Sequence, residues 1–542
     1  MKRAPLEFLR GKSALLRNIL WQRGVREEND ALTFFNPSYE QGLHNPFLLK
    51  GMKEVVSRIT VAVKGNERIA IFADYDCDGT AAAAVLADYF HCLGFSNFLV
   101  YVPERIEGYG LTKEAIVKIA EGGANLLVTV DCGIANYNEV EFAKGLGLDV
   151  IVTDHHLPPE VMPRCAVINP KQPSCIYPEK MLCGAGVAFK LVCALITLLP
   201  IPNGQEKWLL DLVALATLAD QVPLRGENRV LVYFGMKVLS RTRRPGLLQI
   251  INLLRLRRIG EEDVTFSIVP RLNSVSRILS SALVFETLST KDISRANELV
   301  KILENTNKER KTLVAQTMRE ANKRLRERDL GNVIVLGDPD WNLGILGLVA
   351  AKISEEYTRP AFVWTRVGEL IKGSCRSPKL DLVDLMKRTA PETLVSFGGH
   401  SLAGGFVATS DQVHFLEAKL ESAFDESKGD VAPNTEDKEI SDGIFNLADV
   451  NLENFRIIDC LRPFGNSFPR PIFLFENLLV TKTRRFGQNQ NHLSMTLEDG
   501  GENVEAVSFF EKRDNFSSPQ SILASIEKDW RGRLRLRIEK FL

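Results

Sequence analysis

Three aspartates at alternate positions mark the end of an apolar run near residue 70. In the segment ADYDCDGT, Asp74, Asp76 and Asp78 recur at every second position. Side chains alternate across a strand, so these carboxylates are predicted to project to the same side. Like charges held together are costly without a counter-charge, and a divalent metal ion is a natural one. A turn rich in Asp and Gly explains this single segment equally well.

Two further strand ends repeat the pattern. Asp131 ends the run NLLVTVD, and Asp154, His155 and His156 end the run DVIVTDHH. In a parallel sheet these ends lie at one edge, where open α/β folds bind their ligands. Turn roles for single aspartates do not explain this convergence. Asp220, which closes the apolar segment LVALATLADQV, is a candidate for another carboxylate.

The ligand types indicate which metal is expected. Oxygen-rich sets with one or two imidazoles are typical of Mn²⁺ or Mg²⁺, whereas thiolate-rich sets are typical of zinc. Two such ions about 4 Å apart can share a carboxylate, lower the pKa of a water molecule and bind a phosphoryl oxygen. The residues therefore predict two-metal hydrolysis of a phosphate ester, without a covalent enzyme intermediate.

Strands that alternate with helices surround these residues. Helix-like segments ending in glycine separate short β-rich runs at 68–76, 97–103, 125–131, 149–156 and 166–169. Strict alternation predicts a parallel, doubly wound sheet. The near-continuous apolar character of the runs indicates that both faces of the sheet are covered.

The rest of the chain divides into further units. Long, charged helices are expected to connect two domains, because such helices bury little by themselves. A second, smaller α/β unit follows, then a hydrophilic linker and a small β-barrel with four strand-like runs, from FENLLVTKTRRF to RLRLRIEKF. The predicted units are an N-terminal helical region, the first α/β domain, the connector, the second α/β domain and the barrel, at 1–66, 67–285, 286–330, 331–428 and 440–542.

Composition limits the function less than the motifs do. The 542 residues include 68 basic and 68 acidic side chains, so the net charge is zero and indicates no particular partner. A local basic groove can still bind nucleic acid. The sequence contains no apolar run long enough to predict a membrane span, and its N-terminal segment is a poor match to a signal peptide. Nine cysteines without a CxxC pair argue against a disulfide framework or zinc ribbon, so a cytoplasmic location is predicted.

Four motifs, ADYDCDGT, VTVDCGI, TDHH and LATLADQVPL, resemble those of the DHH phosphoesterase superfamily. The segments GAGVAFKL, VPRLNSVSR, DWNLGILGLVAAKISEEYTRP, GSCRS and FGGHSLAGGF match its RecJ family in order, so the resemblance covers nearly the whole chain. It implies DHH, DHHA1 and OB-like domains and 5′→3′ hydrolysis of single-stranded DNA to 5′ mononucleotides, in DNA repair and recombination. Single-stranded DNA is the implied partner, with a single-strand-binding protein and a helicase as further candidates.

The resemblance also implies metal-binding roles. Asp76 and Asp220 would bind one Mn²⁺ or Mg²⁺ ion, Asp78 and His155 would bind the other, and Asp131 would bridge the two. Each of these residue types is present at its matching position.

Further roles concern catalysis and DNA. Asp74 would lie at the edge of the metal cluster, and His156 would face the scissile phosphate. The implied DNA-binding residues are Arg271, Asn273, Arg277, Arg376, Gly398, Gly399 and His400. The chain departs from the family pattern at Asn342, Cys375 and Ser276, where His, Gly and Gly are usual, which affects the expected grip on substrate. On the barrel the candidates are Lys482, Arg484, Arg485 and Phe486, although a charged edge strand that prevents aggregation would look the same.

Two other functions stay open at the level of sequence. A DHH phosphodiesterase for short oligonucleotides or cyclic dinucleotides would use the same metal set, but such chains are usually shorter and lack the barrel. An inactive single-strand-binding scaffold would show eroded metal ligands, whereas every one is present in this chain.

Overall fold

A computed structural model describes most of the chain, namely residues 9, 11–35, 37–427, 441–487, 490–511, 513, 516 and 519–542. No helix in these ranges is long and apolar enough to cross a membrane.

The N-terminal helices pack in the same core as the first α/β domain, which contains a five-stranded sheet. The N-terminal helices are α1 (Ala14–Gln22), α2 (Glu28–Phe35), α3 (Tyr39–Gly42) and α4 (Met52–Lys64). The strands are β1 (Ile69–Ala73), β2 (Phe98–Tyr101), β3 (Leu126–Val130), β4 (Asp149–Thr153) and β5 (Ala166–Ile168). Between and after them lie α5 (Cys77–Leu93), α6 (Lys113–Glu121), α7 (Tyr137–Gly145), α8 (Gly184–Leu195), α9 (Leu210–Ala219), α10 (Gly226–Leu239), α11 (Pro245–Leu253), α12 (Glu261–Asp263), α13 (Val269–Ile278) and α14 (Ser281–Ser289).

The sheet is parallel throughout, in the order β2-β1-β3-β4-β5. Alternate strand residues enter two separate cores, as the pleat requires. Ile71 and Val128 pack in the core that includes α5 and α8, while Phe72 and Leu127 pack in the core that includes α6 and α7. The predicted doubly wound sheet, covered on both faces, is confirmed.

One helix connects the two α/β domains. Helix α15 (Ile293–Arg326) runs for 34 residues without interruption, where several helices were expected. Val300 and Leu303, in its first half, belong to the core of the first domain. Ala321 and Leu325, in its last turns, belong to a core of the second domain. The helix therefore bridges the domains, as predicted, by burying a different end in each.

The second domain has a mixed sheet. Its strands are β6 (Ile334–Gly337), β7 (Ala361–Val367), β8 (Leu370–Arg376), β9 (Ser396–His400) and β10 (Ala403–Thr409), and its helices are α16 (Leu346–Tyr357), α17 (Leu382–Thr393) and α18 (Val413–Ser427). The strand order is β6-β7-β8-β10-β9, and the pair β6–β7 is parallel while the other pairs are antiparallel. The expected smaller α/β domain is confirmed.

The C-terminal unit is a closed barrel that follows helix α19 (Leu452–Asp459). Its strands are β11 (Phe473–Phe486), β12 (His492–Asp499), β13 (Glu502–Ser508), β14 (Gln520–Lys528) and β15 (Leu534–Phe541), in the order β11-β12-β13-β15-β14. The predicted barrel is confirmed. Strand β14 was not predicted, because it is buried along nearly its whole length and lacks the alternation of a half-exposed strand.

Candidate metal centre

The three alternating aspartates lie on a turn between a strand and a helix. Strand β1 ends at Ala73, and Asp76 caps helix α5 by accepting hydrogen bonds from the amides of Asp78 (2.8 Å) and Gly79 (3.1 Å). The expected alternation along a strand is therefore wrong as the reason for their convergence. A Cβ atom at Gly79 would lie 2.5 Å from the carbonyl oxygen of Asp74, so the tight turn requires glycine there.

Asp78 is held by the first turn of another helix. Its carboxylate accepts hydrogen bonds of 2.7 Å from each of the amides of Gly184 and Ala185, at the N-terminus of α8. Helix N-termini favour negative charge because their amides lack intrahelical partners. The glycine-rich segment GAGVAFKL thus orients a carboxylate that lies more than a hundred residues earlier.

Asp154 organises the ends of β3 and β4. Its carboxylate accepts hydrogen bonds from the amides of Ile134 (2.9 Å), His155 (2.6 Å) and His156 (3.0 Å), and from Nδ1 of His156 (2.8 Å). Asp131, at the end of β3, has a left-handed backbone with φ of 62°. Asp154 therefore positions both histidines without itself being needed as a ligand.

The predicted metal ligands meet in space. Nε2 of His155 lies 3.0 Å from Oδ1 of Asp131 and 3.9 Å from both Oδ2 of Asp78 and Oδ2 of Asp220. Ligand atoms within 4.8 Å of one another form three overlapping groups, Asp74–Asp76–Asp131, Asp78–His155–Asp220 and Asp131–His155–His156. Asp131 and His155 each belong to two of these groups, and the bridging role of Asp131 stays a prediction. Asp220 was predicted to share an ion with Asp76, but in these groups it lies with Asp78 and His155. The division of the ligands between two ions stays a prediction.

The electrostatics of the cluster fit a divalent ion. Burial, and then Asp76, raises the pKa of Asp74 to about 8. Burial and the neighbouring carboxylates also raise the pKa of Asp78 and of Asp131 well above the usual range. Burial lowers the pKa of His155 to about 3, so its imidazole is neutral and supplies no charge. Mn²⁺ or Mg²⁺ would supply the missing charge, and the oxygen-rich donor set suits both.

Unsatisfied atoms support the same conclusion. Among the described residues, the buried Oδ1 atoms of Asp74 and Asp131 accept no hydrogen bond. Buried polar atoms in folded proteins almost always have a partner. Nε2 of His155 lies 3.0 Å from Oδ1 of Asp131 without forming a hydrogen bond, which is how two ligands of one ion are placed.

His156 is the charged imidazole at the site. Burial lowers its pKa, but the hydrogen bond with Asp154 outweighs burial and raises the pKa to about 9. The hydroxyl group of Tyr109 lies 3.3 Å from Nε2 of His156. His156 is therefore protonated at neutral pH and able to interact with a phosphate.

Arginines from both α/β domains gather beside the cluster. Burial, together with the charges of Arg105, Arg376 and Arg310, lowers the pKa of Arg277 to about 9. The guanidinium of Arg105 lies over the ring of Tyr75, 4.5 Å from its centre. Mutual repulsion of this kind indicates a site for an anion. Arg277 and Arg376 were predicted; Arg105 was missed because it follows β2 in a loop without a recognised motif.

Two other predicted DNA-binding residues have partners within the protein. Arg271 donates to Glu304 of the connector at 2.7 Å. Oδ1 of Asn273 accepts from the amide of Cys77 at 3.0 Å and so holds the turn that carries the aspartates. Asn273 is therefore placed to support the metal centre, and Arg271 is engaged in joining α13 to α15.

Strand packing explains Gly399 of β9 but not Gly398, where a Cβ atom would meet nothing within 4 Å. Gly399 has a φ of +138°, and a Cβ atom there would lie 2.5 Å from Cα of Gly404 in β10. Gly398 is exposed beside it. His400 ends β9, and its side chain lies outside the described part of the structure.

The three departures from the family pattern have local roles. Asn342 accepts a 2.8 Å hydrogen bond from the amide of Gly344 and caps a short helical turn. Cys375 is buried, 3.9 Å from the sulfur of Met386. Ser276 is buried and donates to the carbonyl of Asn273. These contacts give each of the three residues a local structural role.

The barrel candidates separate into different environments. Lys482 and Arg484 are exposed on β11, whereas Arg485 donates to the backbone carbonyl groups of Glu511 and Arg513. Phe486 joins an aromatic cluster, with its ring centre 5.2 Å from that of His492 and 6.3 Å from that of Phe509. Phe486 is therefore part of an aromatic surface, and Arg485 stabilises the strand end.

Three family models match the chain. They are the DHH family N-terminal domain at residues 68–217, the DHHA1 domain at 330–426 and the RecJ OB domain at 441–540. They fall on the first α/β domain, the second α/β domain and the barrel.

Curated relatives cover most of the chain. The single-stranded-DNA-specific exonuclease RecJ of Bacillus subtilis is 36% identical over 505 residues, 91% of this chain and 63% of that protein. RecJ of Haemophilus influenzae is 35% identical over 86% of this chain and 84% of that protein. RecJ of Escherichia coli is 32% identical over 91% of this chain and 89% of that protein. The chain thus spans less than two thirds of the Bacillus protein and most of the other two.

Solved structures agree. The crystal structure of RecJ in complex with Mn²⁺ from Thermus thermophilus superposes with a TM-score of 0.83 at 27% identity, covering 100% of this chain and 77% of that one. The crystal structure of RecJ in complex with Mg²⁺ from the same organism superposes with a TM-score of 0.77 at 26% identity, covering 100% of this chain and 76% of that one. The expectation of Mn²⁺ or Mg²⁺ is confirmed by these complexes and by the ligand groups above. The chain belongs to the RecJ family of DHH–DHHA1 proteins.

Proposed function

We propose that this protein is a metal-dependent exonuclease that degrades single-stranded DNA from the 5′ end and releases 5′ mononucleotides. The observation that carries the proposal is that carboxylate and imidazole groups from four distant segments form three overlapping groups. Within each group the ligand atoms lie within 4.8 Å of one another, and the buried Oδ1 atoms of Asp74 and Asp131 accept no hydrogen bond in the described part of the chain. Membership of the RecJ family supports the choice of substrate, because the curated relatives are named for single-stranded DNA.

The protein's own groups divide the work of hydrolysis. When bound, divalent ions would activate water and draw charge from the phosphodiester. Asp131 would share its carboxylate between both metal positions, and the helix N-terminus at Gly184 keeps Asp78 oriented. His156, charged and fixed by Asp154, would donate a hydrogen bond from Nε2 to the scissile phosphate or to the departing oxygen.

Strand binding would use both α/β domains. Arg277 of the first domain and Arg376 of the second lie close enough to affect each other's charge, with Arg105 beside them. A single strand that passes between the domains would place a phosphate among these guanidinium groups, whose forked geometry suits phosphate oxygens. On the barrel, the rings of Phe486 and Phe509 would offer stacking surfaces for bases.

Several finer features belong to the same proposal. The ligand division given above and the domain limits 1–66, 67–285, 286–330, 331–428 and 440–542 are proposed as they stand. A cytoplasmic location, a role in DNA repair and recombination, and partnership with a single-strand-binding protein and a helicase rest on composition and family resemblance. Co-purification of the full chain with either protein tests those partnerships.

Digestion of an end-labelled single strand tests the function. The full chain with Mn²⁺ should release labelled mononucleotide first from a 5′-labelled strand and last from a 3′-labelled one, and should spare the duplex. Equal signals with Mn²⁺ and with chelator would favour the inactive scaffold. Faster cleavage of a dinucleotide than of a long strand would favour the short-oligonucleotide phosphodiesterase.

A further inference from the structure

The turn after β5 is a part of the active-site edge to which no motif assigned a function. Strand β5 pairs with β4, and the amide of Asp154 donates to the carbonyl of Ile168 at 3.0 Å. Residues that follow β5 therefore emerge beside Asp154 and the two histidines. The sequence at this turn is Asn169-Pro170-Lys171.

Asn169 ties this turn to the catalytic histidine segment. Its side chain is completely buried, and Nδ2 donates to the carbonyl of His156 at 2.9 Å. Its Oδ1 accepts from the amide of Lys171 at 2.8 Å. Gln172 adds a further anchor by donating to the carbonyl of Val167 at 3.0 Å. The backbone of Lys171 is thus held in a fixed position relative to His156.

The ammonium group of Lys171 lies in the field of the acidic centre without pairing to it. Burial lowers its pKa, and the carboxylates of Asp220 and Asp154 act in the opposite direction. Among the described residues no carboxylate forms an ion pair with the Lys171 ammonium group within 4.0 Å, whereas the Asn169 side chain joins the backbone of Lys171 to that of His156, two residues after Asp154. Asp154 is already satisfied by four hydrogen bonds. Lys171 is therefore not required as a counter-ion within the protein.

A phosphate group bound at the metal centre would be negatively charged, and a nearby ammonium group can stabilise it by donating a hydrogen bond. We infer that Lys171 is a substrate-binding residue whose ammonium group donates to a non-bridging phosphate oxygen of the single strand, beside Asp154 and Asp220. The arginine cluster acts next to Asp74 and Tyr75, so the two sets of cations contact the strand at different points of the site. This inference rests on the proposed function, because it requires a phosphodiester substrate.

Three variants of the full chain test the inference. Lys171→Met should lower kcat/KM on a single-stranded oligonucleotide by about 10- to 100-fold, the range of a charge-assisted hydrogen bond. It should also reduce the slope of log KM against log salt by about 0.7, because one phosphate contact is lost. Lys171→Arg should recover most of the activity. Lys50→Met is the matched control, since Lys50 is exposed and holds the outer side of the same loop through the carbonyl of Pro173.

Metal binding separates a substrate contact from a structural role. Mn²⁺ affinity, followed by electron paramagnetic resonance, should be unchanged in Lys171→Met. Activity of Lys171→Met within about twofold of the unaltered protein would overturn the inference, as would a loss of Mn²⁺ affinity equal to the loss of activity. A failure of the proposed function is distinguishable, because the unaltered protein would then show no Mn²⁺-dependent degradation of the strand.

Discussion

The carboxylate of Asp78 accepts a 2.7 Å hydrogen bond from the amide of Gly184, which joins the first metal-binding turn to helix α8. A Cβ atom at Gly184 would lie 2.5 Å from Cβ of Asp131, the carboxylate shared by two ligand groups. The glycine therefore provides both a hydrogen bond to one ligand and the space occupied by another.

Gly184→Ala is predicted to damage the metal centre more than the fold. The added methyl group must displace Asp131, and a shift of about 1 Å in such a site can cost about 100-fold in rate. We expect about that loss of kcat together with weaker Mn²⁺ binding, measured by nuclease assay and calorimetric titration. Gly186→Ala is the control, because its methyl group would meet nothing closer than 3.5 Å and should leave activity unchanged.

Asp131→Asn is predicted to abolish cleavage and to preserve strand binding. Asparagine tolerates the φ of 62° at this position, so the backbone needs no adjustment. Loss of the shared carboxylate should reduce kcat by about 1000-fold or more, while the arginine cluster still binds DNA. Near-normal turnover would contradict the assignment of Asp131 as the bridging ligand. Asp149→Asn, at an exposed strand start, serves as the control.

Asp131→Asn is also predicted to change the thermal stability of the protein. Without divalent ions, the buried carboxylates repel one another, and this repulsion adds to burial in raising the pKa of Asp131. Asp131→Asn should therefore unfold at a higher temperature than the unaltered protein in chelator. Added Mn²⁺ should raise the unfolding temperature of the unaltered protein more than that of the variant, because the folded unaltered protein keeps the Asp131 carboxylate and binds the ions more strongly. Thermal unfolding with and without Mn²⁺ measures both effects, and an equal Mn²⁺ shift in the two proteins would refute the prediction.

Arg105→Gln is predicted to weaken substrate binding selectively. Removal of one guanidinium group from the cluster should raise KM by about tenfold and leave kcat nearly constant. Steady-state kinetics on a single-stranded oligonucleotide provide the measurement. Arg164→Gln, an exposed arginine over the ring of Tyr137, is the control. A fall in kcat with constant KM would instead place Arg105 in the chemical step.

Arg229→Met is predicted to loosen the C-terminal region. The guanidinium of Arg229 lies 3.5 Å from the ring centre of Phe34 and donates to the carbonyl groups of Leu461, Arg462 and Pro463. Its loss leaves buried acceptors without donors, which should cost about 3 kcal/mol of unfolding free energy. Chemical denaturation and hydrogen exchange in α19 measure this. Arg225→Met, which removes one exposed 3.4 Å contact to Ser467, should have little effect.

Local patterns in the sequence were sufficient to predict the parallel sheet and the proximity of the candidate metal ligands. Each strand end at Asp74, Asp131 and Asp154 follows a short apolar run, and parallel pairing necessarily brings such ends to one edge. The spacing of the aspartates within ADYDCDGT was misread as strand alternation, because a strand end and a helix cap share the same residue types. The structure brings these residues together as predicted, although for a different reason, and their role as metal ligands stays a prediction.

Contacts between distant segments were decided only in three dimensions. Gly184 against Asp131, Arg105 beside Arg277, and Lys171 beside Asp220 join segments that have no shared spacing in the chain. Apolar periodicity reports which face of an element is buried, but not which other element covers it. For this protein, residue types along the chain determined the chemistry of the metal centre, whereas tertiary packing determined which glycine makes room for it and which cations surround it.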